Sequence, residues 1–163
     1  IRTTIFSIKE IQKQGFTISE ENIKKGLMSV MKNTSLLGRW QILQKEPLII
    51  CDSAHNEDGI KEIIKQLNEI DYKELHFILG TVNDKNIDNI LGLLPEKARY
   101  YFCQANIPRS LEKESLQTES KKHGLYGEVY NSVSQALQTA KKNAEKQDCI
   151  FVGGSTFVVA EII

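Results

Sequence analysis

Nothing in the charge of this sequence commits it to a partner. Its 21 basic and 21 acidic residues leave a net charge of zero, and Lys and Arg nowhere gather into the stripe that a nucleic-acid footprint requires. No apolar run approaches the roughly 20 residues that a membrane-spanning helix needs. Neither a nucleic acid nor a membrane is therefore expected as a partner. Cysteine is scarce: Cys51, Cys103 and Cys149 make an odd number, and no pair is spaced as CxxC. That argues against a disulfide framework or a structural zinc site. Each cysteine lies in or beside an apolar run ("LIIC", "YYFC", "CIFV"), so reduced thiols in core strands of a cytoplasmic protein are expected. The chain lacks G-x-x-x-x-G-K-[ST], hence any triphosphate cradle of its own, and lacks G-x-G-x-x-G. It shows no internal repeat, no low-complexity segment and no secretory leader pattern. It opens at Ile1 inside a helical pattern (Ile1, Ile5, Ile8, Ile11), and a piece of a longer protein is expected.

What is present is ordinary globular composition, 40% hydrophobic and 26% charged over 163 residues, enough for one sizeable core. Residues 2–14 read as a helix closed by Gly15. "TISEENIKKGLMSVM" reads as a second helix capped by Ser19 or Thr17, and "NTSLLGR" as a linker. From Trp40 the pattern alternates. "WQILQ" and "LIIC" are short strands around "KEP", a hairpin. Residues 57–70 form the clearest helix, with Ile60, Ile63, Ile64, Leu67 and Ile70 on one face. "ELHFIL", "ARYYFC", "GEVY" and "DCIFV" read as strands. "NIDNILGLL", "SLEKESLQTESKKHG" and "SVSQALQTAKKNAEK" read as the intervening helices, the last opened by Ser132 with Gln135 as a capping box. The fold class expected is α/β: a Rossmann-like, doubly wound, mostly parallel six-stranded sheet with one antiparallel edge strand, preceded by two helices.

In such sheets ligands bind outside the carboxyl ends of the strands. Those ends carry Asp52, Gly80–Thr81, Gln104–Ala105 and Gly153–Gly154–Ser155. In "PLIICDSAHNEDG" a buried strand runs into Asp52, followed by His55 and then a helix that Asn56 or Ser53 can cap. A carboxylate there can accept from ribose hydroxyls, and a helix N-terminus suits an anion; equally, Asp52 and Asn56 can simply close the turn. Arg39, just before the first strand, can set its planar fork on a phosphate or stand as a surface arginine. Lys85 in "LGTVNDKNID" and Ser155 in "FVGGSTFV" are further candidates for an anion, against a solvated turn and a tight turn. Asp52 and His55 are too few to hold a metal by themselves. His76, inside a strand, is expected in the core or at an edge, and His123 at a helix C-terminus, where a cation suits the dipole.

Taken together, "GRWQIL…PLIICDSAHNEDG", "LGTVNDKNIDNIL", "LLPEKARYYFCQANIPRSLEKESL" and "DCIFVGGSTFVVAEI" resemble, in order, the C-terminal domain of the folylpolyglutamate synthases, including the bifunctional dihydrofolate synthase/folylpolyglutamate synthases, of the Mur ligase superfamily. Ser53 stands where that family has glycine and Glu57 where it has proline. The resemblance implies that residues 1–37 are the closing helices and linker of a preceding ATPase domain and that 38–163 are the C-terminal domain. It implies ATP-dependent joining of L-glutamate to folate or dihydropteroate through an acyl phosphate. On that reading Arg39, Asp52 and His55 serve the ATP, and Ser155, Lys85 and Asn56 the glutamate or its cleft. Mg²⁺ ligands are expected in the N-terminal part, and the chain alone is expected to be inactive. Two other readings are a non-enzymatic doubly wound binding or interaction module, and a metal-dependent hydrolase built on Asp52 and His55.

Overall fold

The computed structural model describes residues 2–83 and 87–163 and divides into two compact units, Ile1–Leu37 and Gly38–Ile163. The first unit holds helices α1 (Arg2–Lys13), α2 (Glu20–Met28) and α3 (Val30–Thr34). Gly15 follows α1 at φ +96°, a left-handed position that suits glycine. Ser19 caps α2 by accepting the Asn22 N–H at 3.1 Å. The single second helix expected from the sequence is broken at Ser29, whose N–H still bonds back to Lys25 and Gly26 while its own ψ of 20° leaves the helical range. Asn33 and Thr34, expected in the linker, belong to α3. No described residue of these three helices is fully buried, as a segment this short cannot enclose a core of its own.

The second unit is a six-stranded sheet. Its strands are β1 (Gln41–Lys45), β2 (Leu48–Asp52), β3 (Leu75–Leu79), β4 (Arg99–Cys103), β5 (Gly127–Tyr130) and β6 (Cys149–Gly153), in spatial order β1-β2-β6-β3-β4-β5. Only β1 is antiparallel, joined to β2 through Glu46–Pro47, whose peptide is cis. The strands β2, β3, β4 and β6 are mostly apolar because both faces are covered there, while β5, at the sheet edge, keeps Glu128 exposed. Along β4, Tyr100 and Phe102 enter one core layer while Tyr101 and Cys103 enter the other.

The layers follow from the connections. Helices α4 (Glu57–Leu67), α5 (Ile87–Leu91) and α6 (Lys113–Lys121) each follow a strand that steps one way along the sheet. Right-handed crossovers place them on one face, where Ile60, Leu91 and Leu116 pack with Ile50, Phe77 and Phe151. Helix α7 (Val133–Asn143) follows the step back from β5 to β6 and lies on the other. There Val133, Ala136 and Ala140 meet Ile78, Ile150 and, from α8 (Thr156–Ala160), Val158 and Val159. The periodic helix at 57–70 stops at Leu67, with Ile70 reached through a turn. The helix expected from Ser110 begins only at Lys113: Ser110 is buried and bridged to Val82 instead. The three cysteines are free and buried, as expected.

At the N-terminal ends of β3 and β6 a polar cluster is enclosed. His76 is fully buried, with Nδ1 2.8 Å from the Tyr101 hydroxyl and Nε2 3.4 Å from Asp148 Oδ2. Asp148 accepts the N–H groups of Glu74 at 3.1 Å and Glu145 at 2.6 Å. Burial alone would raise this carboxyl, but the Glu145 N–H, the His76 ring and the Glu74 N–H outweigh it and hold its pKa below the ordinary value. His123, just past the C-terminus of α6, bonds Asp88 at 2.8 Å.

Candidate functional site

Strand β6 lies between β2 and β3, so Asp52 and Leu79 both pair with Gly153. The connection after β6 runs to one face of the sheet and those after β2 and β3 to the other. This is the switch point at which doubly wound sheets open a crevice, and it collects Asp52, Gly80 and Gly153–Ser155 from three separate stretches of sequence.

Asp52 is nearly buried, and both of its carboxylate oxygens are engaged. Oδ1 accepts the Ala54 N–H at 2.8 Å, closing the turn into α4, and Oδ2 accepts the Trp40 N–H at 2.6 Å. The second bond ties the segment before β1 onto the end of β2. That segment is a tight reversal: Gly38 has φ +67° and Trp40 φ +43°. The Gly38 N–H donates to the Gln41 side chain at 2.7 Å and its carbonyl accepts the Ser53 N–H at 2.9 Å. A Cβ on Gly38 would sit 2.9 Å from Val159 Cγ1, so glycine is needed for both the backbone angle and the fit against α8. Between Gly38 and Trp40, Arg39 is thrust outward. Its side chain is 54% exposed, and Nη1 stands 3.8 Å from Asp52 Oδ1. Asp52 thus closes the turn, as its alternative reading held, and in doing so sets a guanidinium over the strand end.

The other sequence candidates divide. Asn56, rather than Ser53, caps α4 by accepting the Gly59 N–H at 2.8 Å. His55 is exposed, with Nδ1 3.1 Å from the Ser53 carbonyl. Glu57 accepts from the Asn89 side chain at 2.8 Å, linking α4 to α5. Ser155 is buried and caps α8 by accepting the Phe157 N–H at 3.1 Å. Gly154 before it has φ +94°, and a Cβ there would lie 2.7 Å from the Gly80 carbonyl oxygen, so the loops after β6 and β3 touch through their backbones. Lys85 lies outside the described residues. Just before it, the Asn83 N–H donates to the Arg109 carbonyl at 2.9 Å and the Leu111 N–H to the Thr81 carbonyl at 2.9 Å. The loops after β3 and β4 are therefore laced together at the same edge. A polar cleft of about 460 Å³, lined by Gln104, Asn106, Asn131, Ser132 and Glu161 among others, continues that edge beyond β4.

The edge can present a cation (Arg39), backbone donors at the head of α4 and an exposed imidazole to an anionic ligand. The thiol on the strand that leads into it, Cys51, is enclosed, and burial, then the neighbouring Asp52 charge, pushes its pKa up to about 11. No third His, Cys, Asp or Glu joins Asp52 and His55 in a ligand group among the described residues. The backbone role of Trp40 was not visible in the sequence, since a donor twelve residues away carries no local signal.

Comparison with known proteins matches residues 38–156 to the family described as "Mur ligase, glutamate ligase domain". A probable bifunctional folylpolyglutamate synthase/dihydropteroate synthase of Haloferax volcanii is 35% identical over 145 residues, covering 88% of this chain and 17% of that protein. The dihydrofolate synthase/folylpolyglutamate synthase of Escherichia coli is 26% identical over 159 residues, covering 96% of this chain and 36% of its own length. Among solved structures, the bifunctional folylpolyglutamate synthase/dihydrofolate synthase with Mn, AMPPNP and L-glutamate bound superimposes with a TM-score of 0.77 at 27% identity, over 90% of this chain and 34% of that one. The chain therefore spans about a third or less of the length of these relatives.

Proposed function

Because this chain belongs to the Mur ligase glutamate ligase domain family, we propose that it is the closing domain of an ATP-dependent ligase that adds L-glutamate to folate or dihydropteroate. The observation that carries the reading is the Arg39–Asp52 pair at the switch point, 3.8 Å apart and held by the Trp40 N–H. In this reading, ATP bound on a preceding ATPase domain supplies a phosphoryl group to a carboxylate of the pterin substrate. The amine of L-glutamate then displaces phosphate to form the amide. Arg39 contributes positive charge beside the phosphates, and Asp52 orients the Arg39 segment and meets the nucleotide. His55 donates from the loop ahead of α4. The Ser155 loop, Asn56 and Lys85 line the cleft for the incoming glutamate.

These are positioning and electrostatic roles. Mg²⁺, which offsets charge on the transferred group, is assigned to the preceding domain, as membership of the family implies. The half-buried apolar stripe of residues 1–37 is assigned to the same domain. Closure of two domains assembles the site, so the chain alone turns nothing over. The relatives solved with AMPPNP, Mn and L-glutamate support the reading.

The test is ATP-dependent phosphate release by the full-length parent with a reduced folate or dihydropteroate as acceptor. Release that requires both the pterin acid and glutamate is expected. It should fall by about 10²-fold in Arg39→Ala, the size of effect seen when one preorganised transition-state donor is lost. Undiminished turnover in Arg39→Ala would remove the assignment of Arg39. Absence of release with any pterin acid would overturn the ligase reading.

A further inference from the structure

At the edge of the sheet opposite Asp52, we propose that Glu74, His76 and Asp148 form a binding site for a divalent transition cation of the zinc class, with water completing its shell. His76 Nε2 lies 3.4 Å from Asp148 Oδ2 and 3.8 Å from Glu74 Oε2, and the three ligating atoms fall within 4.8 Å of one another. Tetrahedral coordination at about 2.0–2.1 Å separates donors by about 3.4 Å, so the His76–Asp148 pair already spans one edge of such a tetrahedron, and the Glu74 side chain closes in by a few tenths of an ångström on His76 to join it.

The surroundings are those of an oriented ligand. The Asn143 side chain donates to the Tyr101 hydroxyl at 3.1 Å, and the same hydroxyl lies 2.8 Å from His76 Nδ1. Its oxygen has a second lone pair for an Nδ1–H donor, and in that tautomer the Nε2 lone pair faces the two carboxylates. A second-shell acceptor of this kind fixes the ring of a metal-bound histidine, which donates its other N–H to it. Asp148 is fixed in turn by the N–H groups of Glu74 and Glu145, each of which leaves its oxygen a second lone pair.

Charge points the same way. Among the described residues neither carboxylate has a lysine or arginine within ion-pair distance, Lys73 being paired with Glu145. Two negative groups therefore face one buried imidazole. Glu74 is half-exposed, so the cluster meets solvent on its side. The imidazole and two carboxylates are a mixed nitrogen–oxygen set suited to such an ion.

The test is a Co²⁺ titration of the EDTA-stripped 163-residue chain, followed by visible absorption. Saturation at one equivalent is expected, and Zn²⁺ should raise the unfolding midpoint. Glu74→Gln, at a half-exposed position the fold does not depend on, should weaken Co²⁺ by at least about tenfold, and His76→Asn should abolish the signal. No saturable absorption would overturn the site. So would equal Co²⁺ affinity in the parent chain and Glu74→Gln, which would place the ion on other side chains.

Discussion

Asp52 shows how a single side chain can serve the fold and place a neighbour in a site. Its two oxygens each take a backbone N–H, one from the turn that follows and one from a segment twelve residues earlier. Arg39 is presented because that segment is pinned. The same burial that shelters this carboxylate's strand also silences its thiols. Burial drives Cys51 to about 11 and Cys103 and Cys149 to about 12, with the charges of Asp52 and Glu161 adding to the first two. An unfolded thiol titrates near 8.5, so the folded chain keeps protons that the unfolded one loses. These cysteines contribute stability that is complete below about pH 8.5 and is lost as pH rises toward their folded values. A chromogenic disulfide reagent at pH 8 should therefore find no fast-reacting thiol in the native chain and three after unfolding. A thiol reacting natively at the free-cysteine rate would contradict the enclosed core.

At the scale of elements, caps and connections decide what the strands can present. Helix α7 opens with Ser132 accepting the Gln135 N–H at 3.1 Å, while the Gln135 side chain reaches back to the Asn131 N–H at 3.0 Å. Ser132→Ala should cost about 1 kcal/mol, read as a lowered midpoint in urea unfolding with an unchanged slope. This cap, like those at Ser19 and Asn56, was legible because its partners lie three or four residues away. The inner strands β2, β3, β4 and β6 were legible because both of their faces are apolar. The break at Ser29 was not, since the helical spacing of apolar residues runs straight through it. Nor was the late start of α6, where Ser110 is drawn into a bridge with Val82 that no local pattern announces. In the candidate site, the strand-end residues could be listed from sequence, but the Trp40–Asp52 bond and the left-handed turn at Gly38 arise only when β1 folds back on β2. The His76–Asp148 contact, across 72 positions, is equally invisible to any short window.

On the scale of the whole molecule, the two compact units differ in kind. The second has a two-layered core, and the first has no fully buried residue in its helices. A chain starting at Gly38 should therefore unfold in one cooperative transition with a midpoint close to that of the 163-residue chain, followed by far-ultraviolet circular dichroism. A loss of cooperativity on removing residues 1–37 would mean that those helices complete the core. The order of strands in space also has a consequence for how the protein is made. Strand β6 is the last of the six in sequence, yet it pairs with β2 on one side and β3 on the other. During synthesis, the two halves of the sheet share no strand pairing until Gly153 has left the ribosome. A nascent chain stalled before that point carries two open edges of apolar strand, the form that chaperones hold and that aggregates. The Gly153–Ser155 turn is delivered by the same last strand, so the candidate ligand edge comes into being only when the sheet itself is finished.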